Sequence, residues 1–499
     1  MVSVTASVAW WARTEPNRLA LVFSDQRLTY GELYARVVRA AALMRGWGVR
    51  PGDVVALLMK NSSAFLELSL AVSYVGGVLL PINYRLGADE VDYIAKHGQA
   101  RLLFMDSELV TEGHFDVEVI VVDKSAQSDS SLLNTEFREE IPPPVCSTPD
   151  CLYRLMYTSG TTDHPKGVMH TYGNMAWKCM DHITALGIER DDKLLVVGPL
   201  YHVGAFDLPG VAVWMAGGAL IVEREFDADR TLALIDHERI TGVWMAPVML
   251  NRCLNSPVRE RYNVESLNWM IGGGERTPEE RIREFNGLFP KARYIDAYGL
   301  TESCSGDTMM EAGYEIEKIG STGRAVAHVE IAVFDDNGHA VPTGLPGEVC
   351  LRGPKVTAGY WRDEERTRKS FFGRWFRTGD VGYLDKDGFL FLTDRKKDMI
   401  ISGGENIASS EVERVLCGLR QVAEVAVIGL PHEQWGECVT AVVALKPGNT
   451  LTLQELRAHC NGKLGGFKTP KRLVIRDALP RNPSGKVLKR ELRSSLISH

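Results

Sequence analysis

The chain repeats one local pattern: a short apolar run, a polar loop carrying glycine, then a segment with helical spacing. Val54–Met59, Val78–Ile82, Arg101–Met105, Glu118–Val122 and Leu152–Tyr157 read as strands, with Ser63–Val75 and Leu86–His97 as helices among them. Alternation of this kind predicts parallel strands joined by crossover helices, an α/β layered fold. The texture continues through Leu194–Gly198, Ala219–Val222, Gly242–Met245, Leu267–Ile271 and Tyr294–Ala297. Three of these runs end in Pro199-Leu200-Tyr201-His202, Gly272-Gly273-Gly274-Glu275 and Tyr298-Gly299-Leu300-Thr301-Glu302. Loops at one end of a parallel sheet converge on a single crevice, where ligands of such folds bind.

Local signals agree with this frame. Thr29 followed by Glu32 has the spacing of a capping box, and Leu33, Val37, Val38, Ala41 and Leu43 continue helically from it. At 499 residues the chain exceeds one ordinary core, so at least two domains are expected. Beyond Ser321 the texture changes. Val329–Asp335, Gly347–Gly353 and Phe389–Leu392 alternate and are punctuated by Asn337-Gly338 and Asp387-Gly388, which predicts antiparallel β structure. After Asp394–Asp398 the chain restarts with Gly403-Gly404, a helix at Ser409–Leu416, strands at Val422–Gly429 and Val439–Leu445, and a helix at Leu453–Lys463. The expected organisation is a large N-terminal domain, 1–396, of layered sheets flanked by helices with a β-rich subdomain. A small, mobile α+β domain, 397–499, follows it.

Charge and cysteine content narrow the function classes. A net charge of −7 argues against a nucleic-acid or anionic-membrane surface as the main partner. Nine scattered cysteines without a Cys-x-x-Cys pair indicate neither a disulfide frame nor a zinc site, and fit a cytoplasmic protein. Leu68–Pro81 and Ala205–Val222 are too interrupted by glycine, proline and charge to read as membrane spans.

Tyr157-Thr158-Ser159-Gly160-Thr161-Thr162-Asp163-His164-Pro165-Lys166-Gly167 stands apart. Small hydroxyl-bearing residues and glycine offer backbone N–H groups and hydroxyls to a polyanion, and Lys166 adds a positive charge. The usual Gly-Lys-Ser/Thr ending of a P-loop is absent, so this is a different cradle. A plain surface turn has the same composition.

Six stretches, in order, decide the matter: Tyr157–Gly167, Pro199–His202, Tyr298–Glu302, Arg377–Asp380, Asp394–Asp398 and Pro480–Arg490. In order and spacing they resemble the core motifs of the adenylate-forming superfamily, which holds acyl-CoA synthetases, amino-acid adenylation domains and beetle luciferases. Asp394-Arg395-Lys396-Lys397-Asp398-Met399-Ile400 and Gly403-Gly404-Glu405-Asn406-Ile407 look most like the acyl-CoA synthetase branch. The resemblance implies an acid–thiol ligase. A carboxylate attacks the α-phosphate of MgATP, and coenzyme A then displaces AMP after the small domain rotates.

Residue roles follow from the resemblance, each supported by its chemistry. Lys486 would bridge the attacking carboxylate and the phosphate, the charge that such a step needs. Thr158, Ser159, Gly160, Thr161, Thr162 and Lys166 would hold the phosphates. Glu302, with Thr162, would hold Mg2+, which is satisfied by one or two carboxylates plus phosphate oxygens and water. Gly272, Gly273, Gly274 and Tyr298 would form the adenine slot, Gly299 would also bind the nucleotide, and Thr301 would contact the adenylate. Asp380 would take the ribose hydroxyls, with Arg395 beside it. His202 would stand between the acyl pocket and the thiol path. Lys397 would be the hinge. Gly403, Gly404 and Trp435 would line the pantetheine arm, and Lys468 and Lys471 would face the phosphates of coenzyme A. The acyl pocket would draw on His202–Asp207, Trp244–Met249, Gly272–Gly274 and Gly306–Met309. Its glycines and the adaptable Met245, Met249, Met309 and Met310 point to a bulky or long apolar acid. Asp207 would face an amine or solvent.

One residue departs from the pattern: Asp163 stands where the family has glycine, putting a carboxylate near the phosphates. This opens a second reading, an enzyme weak in adenylation that mainly thioesterifies a preformed acyl-adenylate. A stand-alone enzyme activating amino acids for a carrier protein is a third, and an adenylate-binding protein without chemistry a fourth. The small-molecule acid and coenzyme A are the expected partners, and a homodimer is compatible with all of these readings.

Overall fold

The computed structural model describes residues 3–110, 115–122, 144–145, 147–158, 165–273, 279–395, 398–402, 405–461, 463–481 and 487–497. Two compact units are present. Unit 1 comprises 1–331, 351–376 and 388–390, and unit 2 comprises 332–350, 377–387 and 391–499.

Unit 1 carries two mainly parallel sheets. The first runs in the order Glu118–Val122, Ala100–Asp106, Val54–Leu58, Val78–Pro81, Leu152–Thr158, Lys166–Thr171. All neighbours pair in parallel except the last two, which form an antiparallel hairpin. The second has nine strands, with Leu19–Phe23, Ala219–Val222, Lys193–Val196, Gly242–Met245, Trp269–Gly273 and Arg293–Tyr298 parallel at its centre. Short antiparallel strands close both of its edges. Strands buried on both faces need apolar residues at every position, which is why they read as continuous apolar runs. Val54–Leu58 and Ala219–Val222 are buried throughout.

The helices begin where the sequence signals them. Thr29 and Glu32 form the expected capping box ahead of Tyr30–Gly46, and Ser62 caps Ser63–Tyr74. That second helix is buried along its whole length. It is mostly apolar because it packs inside unit 1, and its one acidic residue, Glu67, pairs with Arg36 at 3.0 Å. The helix Val4–Thr14 and the hairpin Leu19–Thr29, for which no local pattern was read, also belong to this unit.

Unit 2 has a sheet in the order Glu405–Ile407, Ile400–Ser402, Gly436–Leu445, Val422–His432, with Arg472–Arg476 parallel to Gly436–Leu445. Alternate residues of its central strands enter different cores. Val427, Val439, Ala441 and Val443 pack with Val412, Leu416 and Leu456, whereas Ala426, Ile428 and Val442 pack with Leu479, Leu492 and Leu496. The period of two along a strand thus places helices on both faces of this sheet. The turn at Asn337-Gly338 forms as expected, with Gly338 at φ +81 and Asp335 N–H donating to the His339 carbonyl at 2.9 Å.

No helix among the described residues is long and apolar enough to cross a membrane. The cysteines among these residues are free thiols.

Candidate active site

The glycine-rich stretch occupies the connection of the hairpin Leu152–Thr158 and Lys166–Thr171. Thr158 and Lys166 are paired across the hairpin and frame it. Its base is anchored by Tyr157, whose hydroxyl lies 2.6 Å from His97 Nδ1, while Tyr93 stacks on the His97 ring at 5.5 Å. Ser159, Gly160, Thr161, Thr162, Asp163 and His164 lie outside the described residues, as do Gly274, Lys397, Gly403, Gly404 and Lys486. Thr158 Oγ1 is buried and has no hydrogen-bond partner among the described residues, an arrangement that suits an incoming acceptor such as a phosphate oxygen.

Folding brings Lys166 to Glu302, 136 residues away. The ammonium donates to Glu302 Oε1 at 2.7 Å and to the Tyr360 hydroxyl at 2.8 Å. The Tyr360 hydroxyl donates to the same Glu302 oxygen at 2.8 Å. Burial would raise the Glu302 pKa, but the Lys166 charge and the hydrogen bonds from Lys166 and Tyr360 outweigh it and hold the carboxyl below its ordinary value. The phenol is pushed up, first by burial and then by the Glu302 charge, and so stays a donor. The two described side chains that bind Glu302 both take Oε1, so Oε2 has no side-chain hydrogen bond among the described residues. That donor set fits Mg2+ arriving with its phosphates, since one carboxylate oxygen completed by phosphate and water suffices. Among the described residues no group of three or more His, Cys, Asp or Glu could hold a metal ion.

Glu302 sits in a 3-10 turn, Thr301–Ser303, after the strand Arg293–Tyr298. The chain then passes through three successive left-handed residues: Cys304 at φ +57, Ser305 at φ +67 and Gly306 at φ +67. Two of these are not glycine, a conformation costing on the order of 1–3 kcal/mol each unless the surroundings impose it. The fully buried Lys355 does so, donating to the Ser305 carbonyl at 2.8 Å and the Gly306 carbonyl at 2.7 Å, and pairing with Asp307 at 3.0 Å. Gly299 permits the fold-back, since a Cβ there would lie 2.2 Å from Gly306 N. Tyr298, Gly299 and Thr301 are therefore held beside Glu302 on one rigid turn.

On the acyl side, His202 caps the one-turn helix Val203–Phe206, its Nδ1 accepting from Gly204 N–H at 3.0 Å. The His202 ring stacks on Trp244, with centroids 6.3 Å apart and 30° between planes. A Cβ on Gly198 or on Gly204 would come within 2.7 Å of the Trp244 ring, and one on Gly273 would lie 3.7 Å from its Nε1. These glycines make the slot in which the indole lies.

Two expectations for this region are corrected. Asp207 faces neither an amine nor solvent. It is completely buried and binds Arg154 with both oxygens, Arg154 Nη1 donating to Oδ1 at 2.9 Å and Nη2 to Oδ2. Burial alone would raise the Asp207 pKa, but Arg154, with Lys178, holds it below its usual value. Met245 is fully buried in the core beneath the larger sheet, so it is not a soft pocket wall, while the half-buried Met249 packs against the same core. Met245 points away because it neighbours Trp244 on a strand, where successive side chains face opposite ways.

In unit 2, Asp380 is buried and pairs with Arg395, Nε to Oδ1 at 3.2 Å. Asp380 N–H donates to Thr378 Oγ1 at 3.0 Å, which fixes the turn. Asp394 accepts from the backbone N–H of Ser409 and from its hydroxyl, tying the segment before Asp398 to the helix Ser409–Leu416. Trp435 stacks on His432 at 4.2 Å, and Lys471 Nζ lies 3.3 Å from the Trp435 ring centroid. Lys468 is held by both oxygens of Glu411, at 2.8 and 2.7 Å.

Four residues of this arrangement were not singled out by sequence reasoning: Arg154, His170, Lys355 and Tyr360. Arg154 did carry a signal. It is a cation inside the apolar run Leu152–Tyr157, and such a residue must find a buried carboxylate.

Comparison with known proteins agrees with this geometry. A family model described as AMP-binding enzyme matches residues 8–361, and one described as AMP-binding enzyme C-terminal domain matches 411–486. A feruloyl-CoA synthase of an Amycolatopsis species is 35% identical over 483 residues, covering 97% of this chain and 96% of that protein. A long-chain-fatty-acid–CoA ligase of Mycobacterium tuberculosis is 36% identical over 495 residues, covering 98% and 96%. The solved o-succinylbenzoate CoA synthetase of Bacillus subtilis, in complex with its acyl-adenylate intermediate, is 30% identical with a TM-score of 0.89, over 98% and 97% of the two chains. The chain belongs to the AMP-binding enzyme family, in the acyl-CoA synthetase branch of the adenylate-forming superfamily.

Proposed function

We propose that this enzyme activates an apolar carboxylic acid, bulky or long, as an acyl-adenylate at the expense of MgATP and transfers the acyl group to coenzyme A. The observation that carries the reading is the convergence of Lys166, Glu302 and Tyr360, which sets a phosphate-seeking cation and a metal-seeking carboxylate 2.7 Å apart. In the first step Lys166 neutralises charge on the outer phosphates, and Glu302 orients the Mg2+ that accompanies them. The turn carrying Tyr298, Gly299 and Thr301 holds the nucleoside, and Lys486 stabilises the charge that builds between carboxylate and α-phosphate. Asp380 accepts from the ribose hydroxyls, with Arg395 alongside. In the second step the 397–499 domain swings about Lys397. It then presents Gly403, Gly404 and Trp435 to the pantetheine arm, with Lys471 and Lys468 toward the phosphates of coenzyme A.

The apolar acyl preference rests on the indole of Trp244 beside His202 and on the involvement of Asp207 with Arg154, which removes the one carboxylate that would have favoured an amino-acid substrate. The named relatives act on an aryl acid and on fatty acids, and these two classes define the first panel to test. The deciding experiment supplies aryl, aryl-propenoic, medium-chain and long-chain acids with MgATP and coenzyme A, and reads pyrophosphate and thioester mass together. An apolar acid giving both products is expected. Turnover of amino acids alone, or pyrophosphate without a coenzyme A thioester, would overturn the proposal.

A further inference from the structure

A second layer of side chains stands behind the Glu302 turn. His170, on the strand Lys166–Thr171, is completely buried, and its Nε2 lies 2.6 Å from the carbonyl oxygen of Thr301. Its Nδ1 faces Arg154, with Nη2 at 2.9 Å and Nε at 3.3 Å. A guanidinium has only donors, so Nδ1 must accept. A carbonyl oxygen has only lone pairs, so Nε2 must carry the hydrogen. The two neighbours therefore allow one state of the ring: neutral, protonated on Nε2. Arg154 is in turn immobilised by both oxygens of Asp207, at the end of the helix that starts after His202. Burial and the Arg154 charge lower the His170 pKa to about 4, in keeping with the neutral ring.

We propose that His170 is a positioning residue for adenylation: it clamps the Thr301–Glu302 peptide, and Arg154, locked by Asp207, selects the tautomer that can do so. The proposal rests on Glu302 being the residue that orients MgATP. The Thr301 carbonyl belongs to the peptide plane that leads into Glu302, so a hydrogen bond to it fixes the direction in which the carboxylate leaves the backbone. Thr357 N–H, donating to the Glu302 carbonyl at 2.7 Å, holds the next peptide plane. With one clamp removed, the carboxylate keeps its charge and its partners but loses its registration against Lys166.

The test exploits the two amides that each copy one ring nitrogen. In His170→Gln the terminal amide reaches the place of Nε2 and can still donate to Thr301. In His170→Asn the shorter side chain can satisfy Arg154 in the place of Nδ1 but cannot reach Thr301. Pyrophosphate release is measured against MgATP for wild type, both variants, Glu302→Ala and the His170→Asn/Glu302→Ala double variant, with circular dichroism confirming the fold. His170→Asn should lose roughly 10- to 100-fold in kcat/KM for MgATP, the usual penalty for removing a partner that orients a metal-binding residue, and His170→Gln should stay within roughly threefold of wild type. The double variant should be no worse than Glu302→Ala alone.

If His170 serves only to satisfy Arg154, the order reverses and Asn is the better replacement, which overturns the proposal. Multiplicative losses in the double variant would overturn it as well. Unchanged MgATP kinetics in Glu302→Ala would instead remove the underlying assignment of Glu302. If His170→Asn does not fold, His170→Gln decides: retained activity supports the clamp, and a loss of order tenfold or more refutes it.

Discussion

Replacing Asp207 with asparagine keeps shape and volume but removes a buried negative charge. The structure sets the size of the effect. Arg154 is 1% exposed and Asp207 0%, so neither can turn to water. Asparagine retains one acceptor for the two guanidinium nitrogens that now bind the carboxylate. The fully buried Lys178, whose pKa is already lowered by burial, also loses the Asp207 charge that supports its ammonium. Breaking one side of a buried ion pair costs about 3–5 kcal/mol, and the loss of the same anion for Lys178 places this case at about 4 kcal/mol. Denaturant unfolding followed by tryptophan fluorescence measures it, because every tryptophan except Trp435 lies in unit 1. The double variant Arg154→Met/Asp207→Leu should recover most of the loss, since the charge needing a partner is gone. A loss below about 1 kcal/mol for Asp207→Asn, or a double variant no better than the single, would refute the argument that the pair is bound together by mutual need.

Other outcomes follow from the same contacts. His170 takes up a proton near pH 6.5 when unfolded but only at about pH 4 in the fold, so between these values the unfolded state binds more protons and stability falls as pH falls. His170→Gln should flatten that slope by up to about 1.4 kcal/mol per pH unit, and an identical slope in denaturant titrations would count against a neutral buried ring. Lys166→Met should reduce adenylation by roughly 10²- to 10³-fold, as expected for losing a charge aimed at the transition state, and Tyr360→Phe by less, both read by pyrophosphate release. Gly204→Ala places a methyl group 2.7 Å from the Trp244 ring and 3.1 Å from His202 Nδ1. It should raise KM for the acid several-fold while leaving KM for MgATP unchanged, a split that a general loss of stability would not produce.

Much of the α/β framework was legible because it is local. The apolar runs, the Thr29–Glu32 box and the turn at Asn337-Gly338 all act within a few residues of themselves, and each forms where expected. The hairpin partner Lys166–Thr171 was not read as a strand, because lysine, glycine and histidine dilute its pattern and its main credential is the strand it pairs with. The ion pair Arg154–Asp207 spans 53 residues and Lys166–Tyr360 spans 194. Such partners leave no spacing in the sequence, since only the tertiary fold brings them together. Burial explains the misjudged methionine as well. Met245 has the composition of a ligand pocket and the neighbours of a core, and a strand's alternation decides between the two.

The hairpin that frames the glycine-rich loop has an electrical consequence. Where a phosphate cradle opens onto a helix, the aligned peptide dipoles provide a standing positive potential that persists whatever occupies the cradle. Here both flanks of the connection are β-strands, whose dipoles largely cancel, so among the described residues the positive charge at its base is carried by a side chain, Lys166. A side-chain charge can be reassigned. Bonded to Glu302, Lys166 closes a local ion pair that presents little net field to solution. Offered a metal-bound polyphosphate, the pair can part, the carboxylate turning to the metal and the ammonium to the anion, each exchanging one opposite charge for another. An anion without its metal would have to compete with Glu302 for the lysine and would gain no partner for the carboxylate it displaced. With MgATP as the proposed substrate, the hairpin would give the enzyme a way to tell it from free phosphates before any chemistry begins.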